Sequence, residues 1–217
     1  MYDHKDGIWL RKVSRDDLND LLTLKEESWW GTHRVLISNL EDQIRWYENL
    51  SPNEMCLICG KGLNAVGMGY YGDIDWLGRT MSISGSIFKA HRTPEILRAA
   101  FAAGLDFAFE ILNVQRLSAE VLECHAAAQQ LNIDYLGFKI EGRRRRAVYK
   151  SGRYYDSIVL GLLREEWEQQ ERVKAYGGCC NTNFDHVFAE KAISRFNRTR
   201  AESLANLDLL PTDTQRY

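Results

Sequence analysis

The chain has 217 residues with 28 Lys and Arg against 30 Asp and Glu, which fits one ordinary domain with an extension and gives a net charge of −2. That balance argues against a broad nucleic-acid-binding surface, and 45% hydrophobic residues with six Trp and ten Tyr exclude a disordered chain. The opening Met1-Tyr-Asp-His-Lys-Asp6 is charged where a signal peptide needs an apolar run, and no apolar stretch reaches about 18 residues. A cytoplasmic, soluble protein without membrane contact is expected.

Taken in order, Ile8 to Val13 alternates apolar and basic residues as a strand does, and Ser14 opens a helix that runs to about Glu26. An aromatic loop, Ser28-Trp-Trp-Gly-Thr-His33, follows, in which Trp29 and Trp30 are placed to wall a substrate pocket or to cover the core edge. After Ser38 or Asn39, Glu41 to Glu48 reads as a short helix with acids in its first turn. Met55–Cys59, Ala65–Tyr71 and Thr80–Phe88 then form an antiparallel meander, with turns at Gly60–Asn64 and Asp73–Gly78. Cys56 and Cys59 lie inside the first of these strands and read as small hydrophobes. A zinc site would need Cys179, Cys180 and His186 as well, and no metal is expected.

The centre of the chain is His91-Arg-Thr-Pro-Glu-Ile96 and the helix it opens. Thr93 is the predicted cap and Pro94 the first helical residue, and Leu97, Phe101, Leu105, Ala108 and Leu112 supply a buried stripe. A strand feeding such a helix start aims backbone N–H groups at whatever lies above it, which suits a phosphate. Arg116–Leu122 is the next strand, and His125 to about Leu136 a helix ended by Gly137-Phe138. Phe138–Gly142 starts another strand, and a basic run, Arg143–Arg146, leads by way of Tyr149–Arg153 to a last strand, Tyr154–Leu162. The run should lie along a strand, where alternation puts two arginines on each face, to meet an anionic acceptor or to keep an edge strand solvated. From Leu163 the chain turns polar and helical, with a break near Gly177 and a second helix from Val187 to about Leu207. This divides the chain into a domain of residues 1–167 and a helical extension, 168–217, suited to packing on a second copy as a homodimer.

Several short motifs occur in one order: Glu41-Asp-Gln-Ile-Arg-Trp46, Leu105-Asp-Phe-Ala-Phe109, Gln115-Arg-Leu-Ser-Ala-Glu-Val-Leu-Glu123, Leu136-Gly-Phe-Lys-Ile-Glu-Gly-Arg143, Gly152-Arg-Tyr-Tyr-Asp156 and Leu163-Arg-Glu-Glu-Trp167. With the element order, they resemble the GNAT superfamily of acyl-CoA-dependent N-acyltransferases, in the branch of ribosomal-protein-alanine and nucleotide-amino-sugar acetyltransferases. The resemblance implies an α+β fold with helices on both faces of a mixed, mostly antiparallel central sheet. That sheet is splayed between the fourth and fifth predicted strands, Thr80–Phe88 and Arg116–Glu123. It also implies acetyl-CoA in the gap, contacted by Ile87, Phe88, His91, Arg92, Thr93 and Ile96, and acetyl transfer to a primary amine. An amine of pKa near 10 costs roughly 4 kcal/mol to deprotonate at pH 7, so a base is needed.

The chain departs from the family pattern at the phosphate loop, Gln/Arg-x-x-Gly-x-Gly/Ala. Its own His91–Ile96 has no glycine, Pro94 removes a donor, and Glu95 would stand near two phosphates. Ser82 occupies the position of the usual acidic base, and His125 that of the Asn that opens the following helix. Ile133 stands where a Tyr acid is common, and the segment to Gly137 is one residue longer, with Asn132 and Tyr135 flanking. His125 as base, Tyr135 as acid and Ser82 form the expected catalytic set; Trp29, Trp30, Asp75 and Tyr155 form the expected acceptor set. The expected activity is acetyl-CoA-dependent N-acetylation of a small amino sugar, nucleotide-linked in one reading. Rival readings are acetylation of a protein N-terminus, a carrier-protein acyl donor, and a binding or assembly module that has lost acetyl-CoA. The partner is then a small-molecule amine, with no nucleic acid or membrane.

Overall fold

The computed structural model describes residues 1–31, 33 and 39–174, in which eight strands form one sheet ordered β1-β2-β3-β4-β5-β6-β8-β7. β1 (Tyr2–Asp3) is too short to show any alternation and was not legible; it pairs with β2 (Ile8–Lys12), which joins the predicted meander of β3 (Met55–Lys61), β4 (Asn64–Asp75) and β5 (Thr80–Ile87). Every pairing is antiparallel except that between β5 and β6 (Arg116–Leu122), so the sheet is mixed and mostly antiparallel, as expected.

Because side chains alternate across a sheet, adjacent residues on β4 serve opposite layers. Tyr70 faces α1 (Leu18–Ser28) and α2 (Leu40–Glu48) in a core with Leu18, Leu21, Leu24, Cys56, Ile58 and Met68. Tyr71 faces α3 (Pro94–Asp106), where its hydroxyl donates to the Gly104 carbonyl at 2.9 Å. Cys56 and Cys59 are buried in β3, and burial pushes both thiols up to about 12. Among the described residues no group of three His, Cys, Asp or Glu is arranged to hold a metal, and no helix is long and apolar enough to cross a membrane.

Asn39 rather than Ser38 caps α2, its side chain accepting from Asp42 N–H at 2.8 Å. Thr93 caps α3 as predicted and accepts from Ile96 N–H at 3.2 Å. α3 continues into a π turn, Phe107–Ile111, and α4 (Ala126–Gln130) into a second, Leu131–Tyr135, where Leu136 N–H reaches the Leu131 carbonyl at 3.0 Å. A π turn absorbs one extra residue without breaking the helix, which is where the additional residue before Gly137 goes.

The basic run lies along a strand, as expected. β7 (Lys139–Lys150) is continuous through it and forms a hairpin with β8 (Arg153–Leu163). Ser151 and Gly152, at φ 48° and 83°, make the tight turn that matches strand twist. The predicted alternation of the arginines fails between Arg144 and Val148, where the register shifts and Arg146 sits at φ 51°. Asp156 holds this bulge, its carboxylate accepting from Arg146 N–H at 2.8 Å and Arg143 Nε at 2.6 Å.

The predicted polar helix divides into α5 (Arg164–Glu168) and α6 (Glu171–Lys174). Trp167 and Arg172 both donate to Asp106 Oδ1 at 2.8 Å, and His4 Nε2 reaches Oδ2 at 3.0 Å. One buried carboxylate at the end of α3 therefore ties down both the first strand region and the last helices. The predicted helix Val187–Leu207 and the dimer contact expected of it lie outside the described residues.

Candidate active site

β5 and β6 pair at only three positions, Thr80 with Arg116, Met81 with Leu117 and Ser82 with Ser118. β6 then continues against β8 as far as Leu122, while β5 continues against β4 as far as Ile87. The two strands thus part after Ser82, leaving Ile83–Ile87 and Ala119–Leu122 as facing but unpaired edges. This wedge exposes main-chain N–H and C=O groups that need partners, and an extended amide-bearing chain such as pantetheine supplies them.

At the wide end the phosphate loop is built differently from the expectation of free amides. The N–H groups of Phe88, His91, Arg92, Thr93, Ile96 and Leu97 all donate within the protein, and that of Lys89 is held by the Glu27 carboxylate at 2.6 Å. Arg92 turns inward, with Nε on the Ile87 carbonyl at 2.8 Å and Nη2 3.1 Å from both the Glu27 carbonyl and Ser28 Oγ. Glu95 is paired with Lys61 at 2.6 Å, so its charge near the helix start is compensated. The wedge fits the pantetheine arm, and Lys89 and His91 would meet the phosphates, with Glu27 as their competitor for the Lys89 amide. Glu27→Gln should therefore tighten acetyl-CoA several-fold, about 1 kcal/mol for a removed like charge near the surface, read by calorimetric titration.

Pairing register assigns the chemistry to one face. Ser84 stands opposite Tyr70, so Ser82, Ser84 and, across the Ser82–Ser118 pair, Ser118 and Glu120 all face the α1/α2 side. Ser157, opposite Leu122, shares that face. Glu120 lies two residues past the last β5–β6 pair, at the apex of the wedge. Its Oε2 accepts from Ser157 Oγ at 3.0 Å and its Oε1 meets Arg144 at 2.6 Å. Ser157 Oγ is in turn 3.0 Å from His33 Nε2. Burial lowers the His33 pKa, a pull that nearby Glu120 opposes and Lys150 and Arg144 reinforce.

Toward the β7–β8 turn, on the strands that flank this carboxylate, aromatic rings and cations cluster. Trp30 meets Tyr155 edge-on at 5.9 Å and Trp29 at 5.3 Å. Lys150 Nζ donates to the Trp30 carbonyl at 2.9 Å and also to that of Trp29, and the Arg153 guanidinium lies 4.5 Å above the Tyr155 ring, with its Nε bonded to the phenol. Burial lowers the pKa of Lys150. The structure therefore brings Trp29, Trp30 and Tyr155 together.

The other predicted residues are engaged elsewhere. A Cβ on Gly31 would come within 3.2 Å of the His125 imidazole, and burial, then Arg92 and Lys150, lower the His125 pKa, so it rests neutral against the Trp29–Gly31 loop. Ser82 donates to Asp73 at 3.0 Å, and Asp75 is spent on its own turn, accepting from Leu77 and Gly78 N–H at 2.9 Å. Tyr135 stands at the far end of α4, with the Arg98 guanidinium 5.3 Å from its ring. That is roughly 15 Å along the helix from His125. The Glu120–Ser157–His33 row was not among the predicted residues. The one signal was a carboxylate in the middle of the mostly apolar Leu117–Leu122 strand.

A mixed sheet that opens between two parallel strands, with a carboxylate at the apex and a capped helix at the mouth, defines an acyl-CoA-dependent transferase. Residues 10–159 match the family model described as the acetyltransferase (GNAT) domain. A prophage-derived uncharacterized N-acetyltransferase of Bacillus subtilis, YokL, is 30% identical over 166 residues, covering 75% of this chain and 93% of the relative. The putative ribosomal N-acetyltransferase YdaF of the same organism is 28% identical over 143 residues, 64% of this chain and 74% of the relative. Among solved structures, spermidine N-acetyltransferase from Vibrio cholerae in complex with CoA and spermine superposes with a TM-score of 0.69 at 20% identity, covering 75% of this chain and 99% of that one. The chain belongs to the GNAT acetyltransferase family: it is an N-acetyltransferase whose acyl donor is acetyl-CoA.

Proposed function

We propose that Glu120 is the general base and that the acceptor is a primary amine on a small molecule carrying an anionic group, a nucleotide-linked amino sugar being the class that fits best. Acetyl-CoA supplies the acetyl group as a thioester. The Glu120 carboxylate attracts the arriving ammonium and takes its proton at the apex of the wedge. The unpaired β5 edge beyond Ser82 offers backbone N–H groups toward the charge that develops on the thioester oxygen. Tyr135, beside Arg98 between α3 and α4, returns a proton to the leaving thiolate.

The single observation behind the acceptor class is a rim made of Arg144, paired with Glu120, and of Lys150 and Arg153 clustered with Trp30 and Tyr155 toward the β7–β8 turn. Such a rim repels a polycation and suits a diphosphate next to a flat base. The likeness to spermidine acetyltransferases lies in the fold, and this rim is the reason for setting polyamines aside. Free-thiol release from acetyl-CoA with a uridine-diphosphate amino sugar, glucosamine 6-phosphate, spermidine and a short free-amine peptide tests the reading. The two anionic sugars should be turned over fastest. Spermidine as the fastest acceptor would overturn it, and the peptide as the fastest would favour acetylation of a protein N-terminus, the activity in the name of YdaF.

A further inference from the structure

The last turn of a helix leaves carbonyls without helical partners, and at the end of α1 each carbonyl from Glu26 to Trp30 has found a donor. Trp29 N–H donates to the Glu26 carbonyl at 3.4 Å and Gly31 N–H to that of Ser28 at 3.0 Å. The Arg92 guanidinium takes the Glu27 carbonyl at 3.1 Å. Lys150 Nζ takes the last two, Trp30 at 2.9 Å together with Trp29. Lys150 is only 8% exposed, and among the described residues no carboxylate pairs with it. Its charge is met instead by the negative end of a helix and by the Trp29 and Trp30 rings, 5.1 and 6.0 Å away.

Burying an ammonium without an acid costs free energy, and burial does lower the Lys150 pKa. What the placement secures is the aromatic loop. Lys150 is the last residue of β7 and pairs with Arg153 across the tight turn, while Trp30 meets Tyr155 of β8 edge-on at 5.9 Å. The β7–β8 hairpin therefore grips the loop twice, at its carbonyls and at one of its rings. We propose that Lys150 is a positioning residue: by capping α1 it holds Trp29 and Trp30 as a wall of the acceptor site. This rests on the reading that these rings face the acceptor, and it holds whichever acceptor is used. Trp29 and Trp30 are 44% and 38% exposed, so water can take the place of Lys150 on both carbonyls, and its removal frees the loop without leaving buried groups unpaired.

Lys150→Met keeps the side-chain stem and removes the donors. KM for the fastest acceptor of the panel above, and for glucosamine, which has no anionic group, should rise about tenfold, the lower end of what a hydrogen bond to a charged group contributes. The kcat and the KM for acetyl-CoA should stay within about twofold, the pattern of lost binding rather than lost chemistry. A rise confined to anionic acceptors would mean that the ammonium meets the acceptor's anion itself, and a fall in kcat alone would place Lys150 in the chemistry; either overturns the positioning role. If spermidine is the fastest acceptor, the proposed acceptor class falls and this test still stands. Its KM should rise, whereas loss of a repelling charge alone would lower it and overturn the proposal. A second measurement needs no acceptor. Acrylamide quenching of tryptophan fluorescence should increase in Lys150→Met, and the increase should vanish when Trp29→Phe and Trp30→Phe are added. Quenching equal to that of the unaltered protein would show that the loop is held without Lys150.

Discussion

Glu120→Gln is expected to lower kcat by about 10²- to 10⁴-fold, the usual worth of a positioned base, with the affinity for acetyl-CoA unchanged. The amide has the same shape and still offers Ser157 an acceptor, so what is removed is the charge that attracts the ammonium and the site that takes its proton. Arg144 loses its partner in the exchange, but both side chains of that pair are partly exposed, at 64% and 31%, and such pairs contribute about 0–1 kcal/mol. The fold should therefore survive, and a melting curve with and without acetyl-CoA verifies that. The pH profile carries the stronger discrimination. Without a base the variant depends on amine already free in solution, so its rate should climb roughly tenfold per pH unit below the amine pKa, while the wild-type rate levels off. A parallel pH dependence in the two enzymes would remove Glu120 from the chemistry.

Why Glu120 escaped the sequence reading is instructive about what one chain reveals. Its neighbours Leu117, Val121 and Leu122 identify a strand, and an isolated acid there reads as a solvated position. Only the register, Ser82 against Ser118 and Leu122 against Ser157, places it at the point where two strands separate. The order of strands and helices was legible because periodicity is local, and the Thr93 cap with Pro94 was legible for the same reason. The phosphate loop was read correctly as lacking glycine, but the Glu27 contact with Lys89 joins residues 62 apart and has no sequence signature. Arg92 was assigned to the cofactor because it is a cation beside the helix start; the chain instead commits its guanidinium to Ile87 and to the end of α1. The basic run was read as lying along a strand, and Asp156 and Glu123 neutralise Arg143 and allow β7 to continue through it; the bulge at Arg146, which breaks the expected alternation, depends on Asp156 ten residues away.

Asp106→Asn should cost about 3–5 kcal/mol of stability, the usual consequence of breaking one side of a buried charge network. Burial alone would raise the Asp106 pKa, yet His4, Arg172 and Trp167 all donate to it and together hold it down at about 2. His4 Nδ1 already accepts from Asp6 N–H at 3.3 Å, so Nε2 is the nitrogen that donates to Asp106. An asparagine would turn its own N–H groups toward one of three donors, and no rotamer satisfies them all. For a domain of this size the loss corresponds to a fall in Tm of about 6–15 °C. The pH dependence has a fixed sign. The folded pKa lies below the ordinary 3.8, so the stabilisation is fully present above about pH 4 and is lost as pH falls toward 2, about 2.5 kcal/mol in total. The variant should lack that acid-dependent loss, which urea titrations at pH 6 and pH 3 would show. Equal stability of the two proteins at pH 6 would mean that the carboxylate does not hold the first and last elements to α3, and the closure of the domain would have to come from the packing of Tyr2 on Phe107 and of Trp167 on Phe109 instead.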